Sequence, residues 1–262
     1  MKYFGTTCLL ILLTACGGGD LTPTRDGGGS GDAAADAAGR DGGGGGGDGG
    51  GGGDTGTPPA CGSITATVRD FHASHPDMEA FLGSLTGIVE PDLGSDGLPV
   101  YAHPGPTAVT SGPEAFDPWY RDVDGVNMRF TVALPLTEGP AGVFTYDNPN
   151  FFPLDGMGFG EEVDGHNFHF TTEIHTRFVY RGGEVFTFRG DDDVFLFVNN
   201  HLALDLGGVH GPQEGTVDFD AMASELGITP GLAYKLDIFH AERHTSMSNF
   251  RMETSIDCFL LE

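Results

Sequence analysis

The sequence predicts an all-β fold in which antiparallel strands form a sandwich or barrel with a few short helices. Apolar and polar residues alternate with a period of two along much of residues 127–256. Glycine and proline separate these runs at short intervals, as turns between strands require. Helical patterns are few and short, and they fall at 76–82, 113–120 and 221–226.

Seven runs alternate as β-strands do. They lie at 127–134, 166–180, 184–189, 194–198, 202–206, 234–240 and 250–256. The longest, 166–180, has an apolar face and a polar face, which predicts a half-buried strand. The glycine-containing turn at 181–183 is expected to fold it into a hairpin with 184–189. Asn199 and Asn200 tolerate positive φ, so they predict a two-residue hairpin turn between the strands on either side.

The first sixteen residues have the features of an export signal. One lysine precedes an apolar run at 8–13, which is far shorter than the ~20 residues that span a bilayer. The run ends in LTAC, which resembles a bacterial lipobox. This predicts a lipoprotein signal peptide at 1–15 and lipidation of Cys16, with an ordinary secretory signal as the alternative. Gly17 then implies a bacterial outer-membrane, cell-surface location with the lipid as the membrane anchor.

Residues 16–60 are predicted to be the lipidated cysteine followed by a disordered tether. From residue 17 to residue 60 there are 20 Gly, 7 Asp and no aromatic side chain. Such a segment cannot bury enough apolar surface to offset its ordering entropy. A metal-buffering tract is the alternative, although scattered aspartates define no ligand shell. The remaining residues, 61–262, are expected to form one β-domain.

The charge of the chain excludes one class of partner. There are 38 acidic and 12 basic side chains, and the net charge is −26, of which −22 belongs to residues 61–262. This balance argues against binding of nucleic-acid phosphates, which requires clustered Lys and Arg. Hydrophobic residues make up 39% and include 20 Phe, enough for a core, so wholesale disorder is excluded.

Two of the four cysteines are expected to form a disulfide. Cys8 leaves with the signal and Cys16 is acylated, so an exported domain retains Cys61 and Cys258, one near each end. A bridge between them would close a loop of nearly the whole domain and stabilise it by about 5 kcal/mol in the chain-entropy model. Two free thiols are the alternative.

The run Gly190-Asp191-Asp192-Asp193 is the sharpest local feature. Three adjacent carboxylates repel one another, so a fold keeps them together where a cation or solvent compensates their charge. Hard oxygen ligands at this density suit calcium. A solvated acidic turn is the alternative, and the EF-hand spacing is absent.

Long motifs in the chain resemble the fibro-slime domain of bacterial and slime-mould surface proteins. The matching segments are FTYDNPNFFPLDGMGFG at 144–160, HNFHFTTEIHTRFVY at 166–180, GDDDVFLFVNNHLALDLGGVHG at 190–211 and LDIFHAERHTSMSNFRMETSI at 236–256. The segments at 65–81 and 116–127 are also similar to it. That family is in turn similar to the β-domain of anthrax protective antigen and of flocculins. The resemblance implies a jelly-roll-like antiparallel sandwich with its sites in loops at one end.

The resemblance also implies a set of calcium and sugar ligands. In glycan-binding members two adjacent aspartates joined by a cis peptide hold calcium, which places the pair on Asp191 and Asp192. Asp193 stands where the pattern has Gly, which leaves the register open by one residue. A second loop, 242–249, would complete the shell. Its candidate oxygen donors are Glu242, Ser248 and Asn249, while His210 is expected either to bond the metal site or to order its own loop.

A metalloenzyme is the competing interpretation. His169, Glu173 and His175 lie on one face of a predicted strand and resemble the metal set of a cupin. Strand parity places His166 on the opposite face, however, so a polar outer face is the simpler interpretation. His240, Glu242 and His244 likewise suit either a metal or loop contacts. Hydrolase signatures are absent.

The sequence therefore predicts a lipid-anchored surface protein without enzymatic activity. Its expected role is recognition or adhesion, through calcium-assisted binding of glycans or extracellular-matrix polysaccharide. A structural component of extracellular slime that binds no glycan is the alternative, and a jelly-roll metalloenzyme is the third hypothesis.

Overall fold

Two antiparallel sheets pack against each other in the part of the chain that this computed structural model describes, residues 62–160 and 163–260. The predicted all-β sandwich with a few short helices is confirmed. The strands within these residues are β1 (Ser63–Phe71), β2 (Gly83–Ser84), β3 (Asn127–Pro135), β4 (Thr137–Glu138), β5 (Phe144–Asn148), β6 (Phe170–Val179), β7 (Val185–Gly190), β8 (Asp193–Val198), β9 (His201–Leu206), β10 (Gly208–Val209), β11 (Gln213–Asp218), β12 (Ala233–Glu242) and β13 (Phe250–Thr254).

The larger sheet has six strands in the order β3-β1-β6-β12-β8-β9, and the smaller has five in the order β11-β7-β13-β5-β4. A short ladder joins β2 to β10. Helix α1 (Pro113–Phe116) continues into a 3-10 turn, and α2 (Phe219–Leu226) follows β11. Asp218 caps α2 by accepting a hydrogen bond from the Ala221 amide (3.1 Å), and Gly227 ends it in the left-handed conformation.

The main hydrophobic core lies between the two sheets. Alternate residues of each strand point into it, as the period of two requires. Leu236 and Ile238 of β12 face this core from the six-stranded sheet, and Phe186 and Phe188 of β7 face it from the other; all four are at most 1% exposed. Phenylalanine side chains thus supply much of the core between the layers.

A second core covers the outer face of the six-stranded sheet. The long segment between β1 and β3 packs Phe116, Trp119 and Tyr120 against Phe195 and Phe239, and all five side chains are buried. As a result β8 is buried along its whole length. The prediction that 166–180 forms a half-exposed strand is therefore wrong, because this covering segment turns its polar face into an interior one.

The predicted hairpin after β6 is also wrong. Strand β6 belongs to the six-stranded sheet, whereas β7 pairs with β11 and β13 in the other. The turn at 181–183 therefore crosses from one layer to the other. Gly182 and Gly183 take positive φ there, and the Glu184 carboxylate accepts hydrogen bonds from the Arg181 and Gly182 amides.

The hairpin between β8 and β9 is confirmed. Asn199 and Asn200 have φ of 53° and 70°, as a two-residue turn of this kind demands. Of the predicted helices, the one at 221–226 corresponds to α2 and the one at 113–120 to α1 with its 3-10 extension. Residues 76–82 form turns instead of a helix, and the sequence missed β1, β2, β4, β5, β10 and β11.

Several predictions fall outside the described residues. They concern the signal peptide at 1–15, lipidation of Cys16, the tether at 16–60 and the Cys61 half of the Cys61–Cys258 disulfide, and they stay predictions. Within the described part of the chain, no helix is both long and apolar enough to cross a membrane.

Replacing Trp119 tests the second core. Trp119→Ala is expected to lower the free energy of unfolding by about 3–5 kcal/mol, because it empties a fully buried site and removes the indole hydrogen bond to Asp77 (3.1 Å). Leu82→Ala, at a side chain that is 73% exposed, is expected to change it by less than about 0.5 kcal/mol. Urea unfolding followed by circular dichroism measures both; equal effects would contradict a structural role for the covering segment.

Candidate functional site

Two crossovers between the sheets lie side by side at one end of the sandwich. Strand β7 ends at Gly190 and β8 begins at Asp193, so two residues cross from one sheet to the other. Strands β12 and β13 are joined by a second crossover, 243–249. Ala241 of β12 pairs with Asp193 while Phe250 of β13 pairs with Gly190, so strand register alone brings the two crossovers together.

The three aspartates of the first crossover are all buried. Asp191, Asp192 and Asp193 are 2%, 4% and 0% exposed, and the peptide bond between Asp191 and Asp192 is cis. The cis bond thus falls on the pair that the sequence motif indicated, despite the Asp at 193. Hydrogen-bond donors from the second crossover and from the loop after β9 surround these side chains.

Asp191 is bonded to the end of the second crossover. Its Oδ1 accepts a hydrogen bond from the Asn249 amide (2.5 Å), and its Oδ2 accepts one from Asn249 Nδ2 (3.2 Å). The buried ring of His240 donates to the Asp191 carbonyl (2.7 Å). Burial lowers the pKa of His240 to about 4, so the ring is neutral and serves as a backbone support. Burial also raises the pKa of Asp191, although the Asn249 hydrogen bonds oppose this.

Asp192 bridges two loops. Its Oδ1 accepts from the His210 amide (2.9 Å) and its Oδ2 from the Arg243 amide (3.1 Å). Burial, together with the nearby charge of Asp193, raises the pKa of Asp192 to about 8. Asp192 therefore gains hydrogen bonds, but burial and the neighbouring carboxylate disfavour its ionised form.

Asp193 has a different role from its two neighbours. Its Oδ1 accepts a hydrogen bond from the Gly208 amide (2.5 Å), and its Oδ2 forms a fully buried ion pair with Arg243 Nε (2.6 Å). Arg243 Nη1 donates to the carbonyls of Asp77 and Val109, and its guanidinium lies over the Trp119 ring. Both carboxylate oxygens of Asp193 are thus bonded to other protein groups. The structure therefore does not support the prediction that Asp193 is a metal ligand beside Asp191 and Asp192.

Glu242 is a buried carboxylate without a hydrogen-bond partner among the described residues. It is 0% exposed, and neither carboxylate oxygen has a partner there. Burial and the charges of Asp192 and Asp191 raise its pKa well above the usual range, although the Ser248 hydroxyl and the His244 backbone amide, which approach it without a hydrogen bond of ordinary geometry, oppose this. A fold rarely buries a carboxylate without a compensating partner, so Glu242 indicates that this site lacks a counter-charge.

The other predicted ligands have structural contacts. Ser248 is buried and donates its hydroxyl to the Phe151 carbonyl (2.7 Å). The His210 ring spans its own loop, with ring nitrogens 2.9 Å from the Gly211 carbonyl and 3.1 Å from the Leu206 carbonyl. His244 lies within 3.0 Å of the Thr245 carbonyl. These side chains order the loops around the aspartates.

A pocket of about 100 Å³ opens over Asp191 and Asp192. His210 and Gly211 line one side of it, and His244, Ser246 and Met247 line the other. Within the described residues, no group of three or more His, Cys, Asp or Glu side chains is arranged to hold a metal ion. The pocket offers two carboxylates, so any further ligands would have to be amide, hydroxyl or carbonyl oxygens.

The side chains that the metalloenzyme hypothesis proposes as metal ligands are already bound to other protein groups. His175 lies between two carboxylates, with Nε2 2.6 Å from Glu173 and Nδ1 2.7 Å from Asp237, and Glu173 also pairs with buried Arg69. His169 contacts Glu79 (3.0 Å) at a separate place. His166 contacts Asp155 (2.7 Å). The cupin-like set therefore does not converge on one point, because Glu173 and His175 belong to an ion-pair network and His169 lies outside it.

Sequence reasoning missed Arg243 and its partners. A signal for Arg243 was present, since it is the one Arg or Lys in the second crossover and a run of three aspartates needs a counter-charge; in the structure it pairs with Asp193. Asp77, which accepts hydrogen bonds from the Trp119 indole and the Ser111 amide, gave no signal, because its partners are distant in the sequence.

The chain is similar to proteins of Dictyostelium discoideum. No family model matches the chain. Protein psiD is 39% identical over 212 residues, which are 74% of this chain and 41% of psiD. Protein psiR is 38% identical over 200 residues, which are 70% of this chain and 20% of psiR. Protein psiC is 34% identical over 220 residues, which are 76% of this chain and 42% of psiC. The chain thus spans less than half the length of these relatives, and its homologues are psi proteins, as the fibro-slime motifs indicated.

Solved structures with a related outline are more distant. The PA14 domain of the antifreeze protein MpAFP is 9% identical with a TM-score of 0.34, over 80% of this chain and 91% of that one. The epithelial adhesin 9 A domain of Candida glabrata, in complex with Galβ1-4GlcNAc, is 12% identical with a TM-score of 0.35, over 79% and 94%. Similarity at this level carries no information on the site.

The predicted bacterial outer-membrane location is wrong. It depended on the lipobox-like segment, whereas the relatives at 34–39% identity are proteins of a eukaryote.

Breaking the buried ion pair tests its structural role. Arg243→Met is expected to lower the free energy of unfolding by about 3–5 kcal/mol, because Asp193 is left charged and unpaired in the interior. Arg181→Met, which removes an exposed pair with Asp257, is expected to cost less than about 1 kcal/mol. Replacing both Arg243 and Asp193 by apolar residues should recover much of the loss. Denaturant unfolding measures all three, and a small effect of Arg243→Met alone would contradict the assignment.

The ion-pair network predicts a pH dependence. Burial alone would lower the pKa of His175, but its hydrogen bonds to Asp237 and Glu173 raise it to about 9. The stability that His175 contributes is therefore fully present below pH 6.5 and is lost as the pH rises through about 9. NMR titration of the His175 ring is expected to give this value, and His175→Gln should remove the corresponding loss of stability. Titration near pH 6.5 would show that the network does not hold the proton.

Proposed function

We propose that the folded domain is a carbohydrate-recognition and adhesion module in which Asp191 and Asp192 hold a calcium ion that helps to bind sugar hydroxyls. The observation that carries the proposal is the placement of both carboxylates at the base of an open pocket, beside the unpartnered carboxylate of Glu242. A cell-surface or extracellular role follows from such an activity. The proposal extends to any longer protein that contains this domain.

The donor set fits a hard cation. Calcium takes oxygen ligands and prefers carboxylates, amide oxygens and carbonyls. Asp191 and Asp192 supply the carboxylates, while Asn249 would contribute its Oδ1 once its amide, which now donates to Asp191, turns over. The charge of the cation would offset the negative charge of the pair and of Glu242. Calcium would then supply open coordination positions for vicinal hydroxyls of a sugar.

A role without enzymatic chemistry is part of the proposal. The carboxylates of Asp237 and Glu173 each bind one ring nitrogen of His175, and Glu173 also pairs with Arg69. Both ring nitrogens of His175 are thus already bound to carboxylates, whereas a catalytic metal needs such nitrogens as free ligands and an open position for its substrate.

A structural role in an extracellular matrix is the second candidate. It is favoured by the backbone amides of Asn249, His210 and Arg243, which already satisfy oxygens of Asp191 and Asp192 without a cation. In that case the acidic loop would only join the two crossovers.

Calcium and glycan binding separate these candidates. Calorimetry is expected to show calcium binding that is weakened by more than about 100-fold in Asp191→Asn plus Asp192→Asn, because both charged ligands are lost. A glycan array is expected to show binding that needs calcium and is lost with EDTA. The control, Asp92→Asn plus Asp124→Asn, makes the same charge change at exposed positions and should behave as the unchanged protein.

The opposite results decide against the lectin function. Calorimetry that stays flat at millimolar calcium would remove the metal. Array binding retained by the Asp191 and Asp192 double variant would show that any sugar site lies elsewhere. Self-association without array binding would favour the matrix role.

A further inference from the structure

A second cavity adjoins the pocket over the aspartates. It has a volume of about 320 Å³ and is lined by the loop after β5, by residues just before β6 and by the second crossover. Ser246 and Met247 line both spaces, so they form the ridge between them. The smaller pocket is below the range of ~300–1,000 Å³ typical of small-molecule sites, whereas the second cavity falls within it.

An aromatic platform forms one wall of this cavity. The rings of Phe152 and His166 stack with centroids 4.0 Å apart and an angle of 15°, and Phe168 supports Phe152 edge-on. Phe152 and His166 are both partly exposed, while Phe168 is 4% exposed. A partly exposed ring with a buried support presents an apolar face to the cavity.

The platform is held in place by hydrogen bonds. Asp155 Oδ2 lies 2.7 Å from His166 Nδ1, and its Oδ1 accepts the Asn167 amide (2.9 Å). One carboxylate thus fixes both the ring and the backbone beside it. Such preorganisation lowers the entropy that a ligand must offset on binding.

The rest of the wall is polar. Asn150, Asp164, Thr245 and Asn249 supply amide, carboxylate and hydroxyl groups around the cavity. A ring face opposite hydrogen-bonding groups suits a pyranose, which has an apolar C–H face and a rim of hydroxyls. The carboxylate of Asp164 and the net charge of −22 on residues 61–262 disfavour an anionic sugar.

We propose that the cavity beside Phe152 and His166 is a second sugar subsite, so that the domain binds an uncharged oligosaccharide of at least two residues, one over Asp191 and Asp192 and the next on the aromatic platform. This inference rests on the proposed lectin function and adds its substrate class. The ridge at Ser246 and Met247 lies where the glycosidic linkage crosses from one subsite to the other.

Chain length is the variable that tests the second subsite. The probes are monosaccharides and their β1-4-linked di- to tetrasaccharides, based on galactose, glucose and N-acetylglucosamine, in calcium buffer on an array and then by calorimetry. The unchanged protein is expected to bind the best disaccharide about tenfold or more tightly than its monosaccharide. His166→Ala and Phe152→Leu should reduce that preference to less than about threefold, because stacking on the platform is lost.

The chain provides a matched control. His72 and Phe159 form a similar stacked pair, with centroids 3.7 Å apart, that does not line the cavity. His72→Ala and Phe159→Leu are expected to leave the chain-length preference unchanged. Because His166→Ala removes a partly exposed ring, it serves as the folding-safe variant if Phe152→Leu is unstable.

The outcomes distinguish the subsite from the lectin function. Calcium-dependent binding with no gain from mono- to disaccharide, or a gain that His166→Ala leaves intact, overturns the subsite and leaves the lectin proposal in place. Tighter binding of uronic-acid or sialylated probes overturns the uncharged class. If the unchanged protein binds no glycan at all, both the lectin function and the subsite are overturned.

Discussion

The buried ion pair between Arg243 and Asp193 is the interaction on which the end of the sandwich depends. It joins the first residue of β8 to the crossover after β12, and the other guanidinium contacts tie both to the covering segment through Asp77, Val109 and Trp119. Removing either partner would leave an unpaired, fully buried charge, which is far more costly than losing a surface pair. The acidic loop can therefore be placed accurately only because one of its three aspartates is given over to structure.

This division of labour explains why three consecutive carboxylates are compatible with the fold. Asp193 is neutralised by Arg243, whereas Asp191 and Asp192 receive mainly amide donors, which satisfy their lone pairs without cancelling their charge. Glu242 adds a further carboxylate behind them with no partner in the described residues. Charge is compensated on the side of the covering segment and left uncompensated on the side of the pocket. The difference follows from position in the chain, because Asp193 is the first residue of β8 whereas Asp191 and Asp192 lie in the crossover before it.

The sequence was informative where structure is local. Alternation located most strands of the second half of the domain, and Asn199-Asn200 specified its hairpin, because both depend on neighbours in the chain. The turn at 181–183 was misassigned, since a glycine turn between two apolar runs is the same pattern whether the second strand pairs with the first or crosses to the other sheet. The acidic pair was recognisable from its motif, whereas the two carbonyls that accept hydrogen bonds from Arg243 Nη1 belong to residues more than 130 positions away. No periodicity reports such contacts.

The covering segment links the fold to the proposed recognition chemistry. Burial on both faces makes β6, β8 and β12 a rigid central layer. The crossovers therefore begin and end at strand residues whose positions are fixed by packing. Loops that carry function generally depend on such a scaffold. Here the same end of the layer presents two different surfaces. The β7–β8 crossover supplies carboxylates, and the loop between β5 and β6 supplies aromatic rings. The ridge of the β12–β13 crossover separates them. A ligand that satisfies both must itself have hydroxyl groups and an apolar face, and pyranose rings combine these in one small unit.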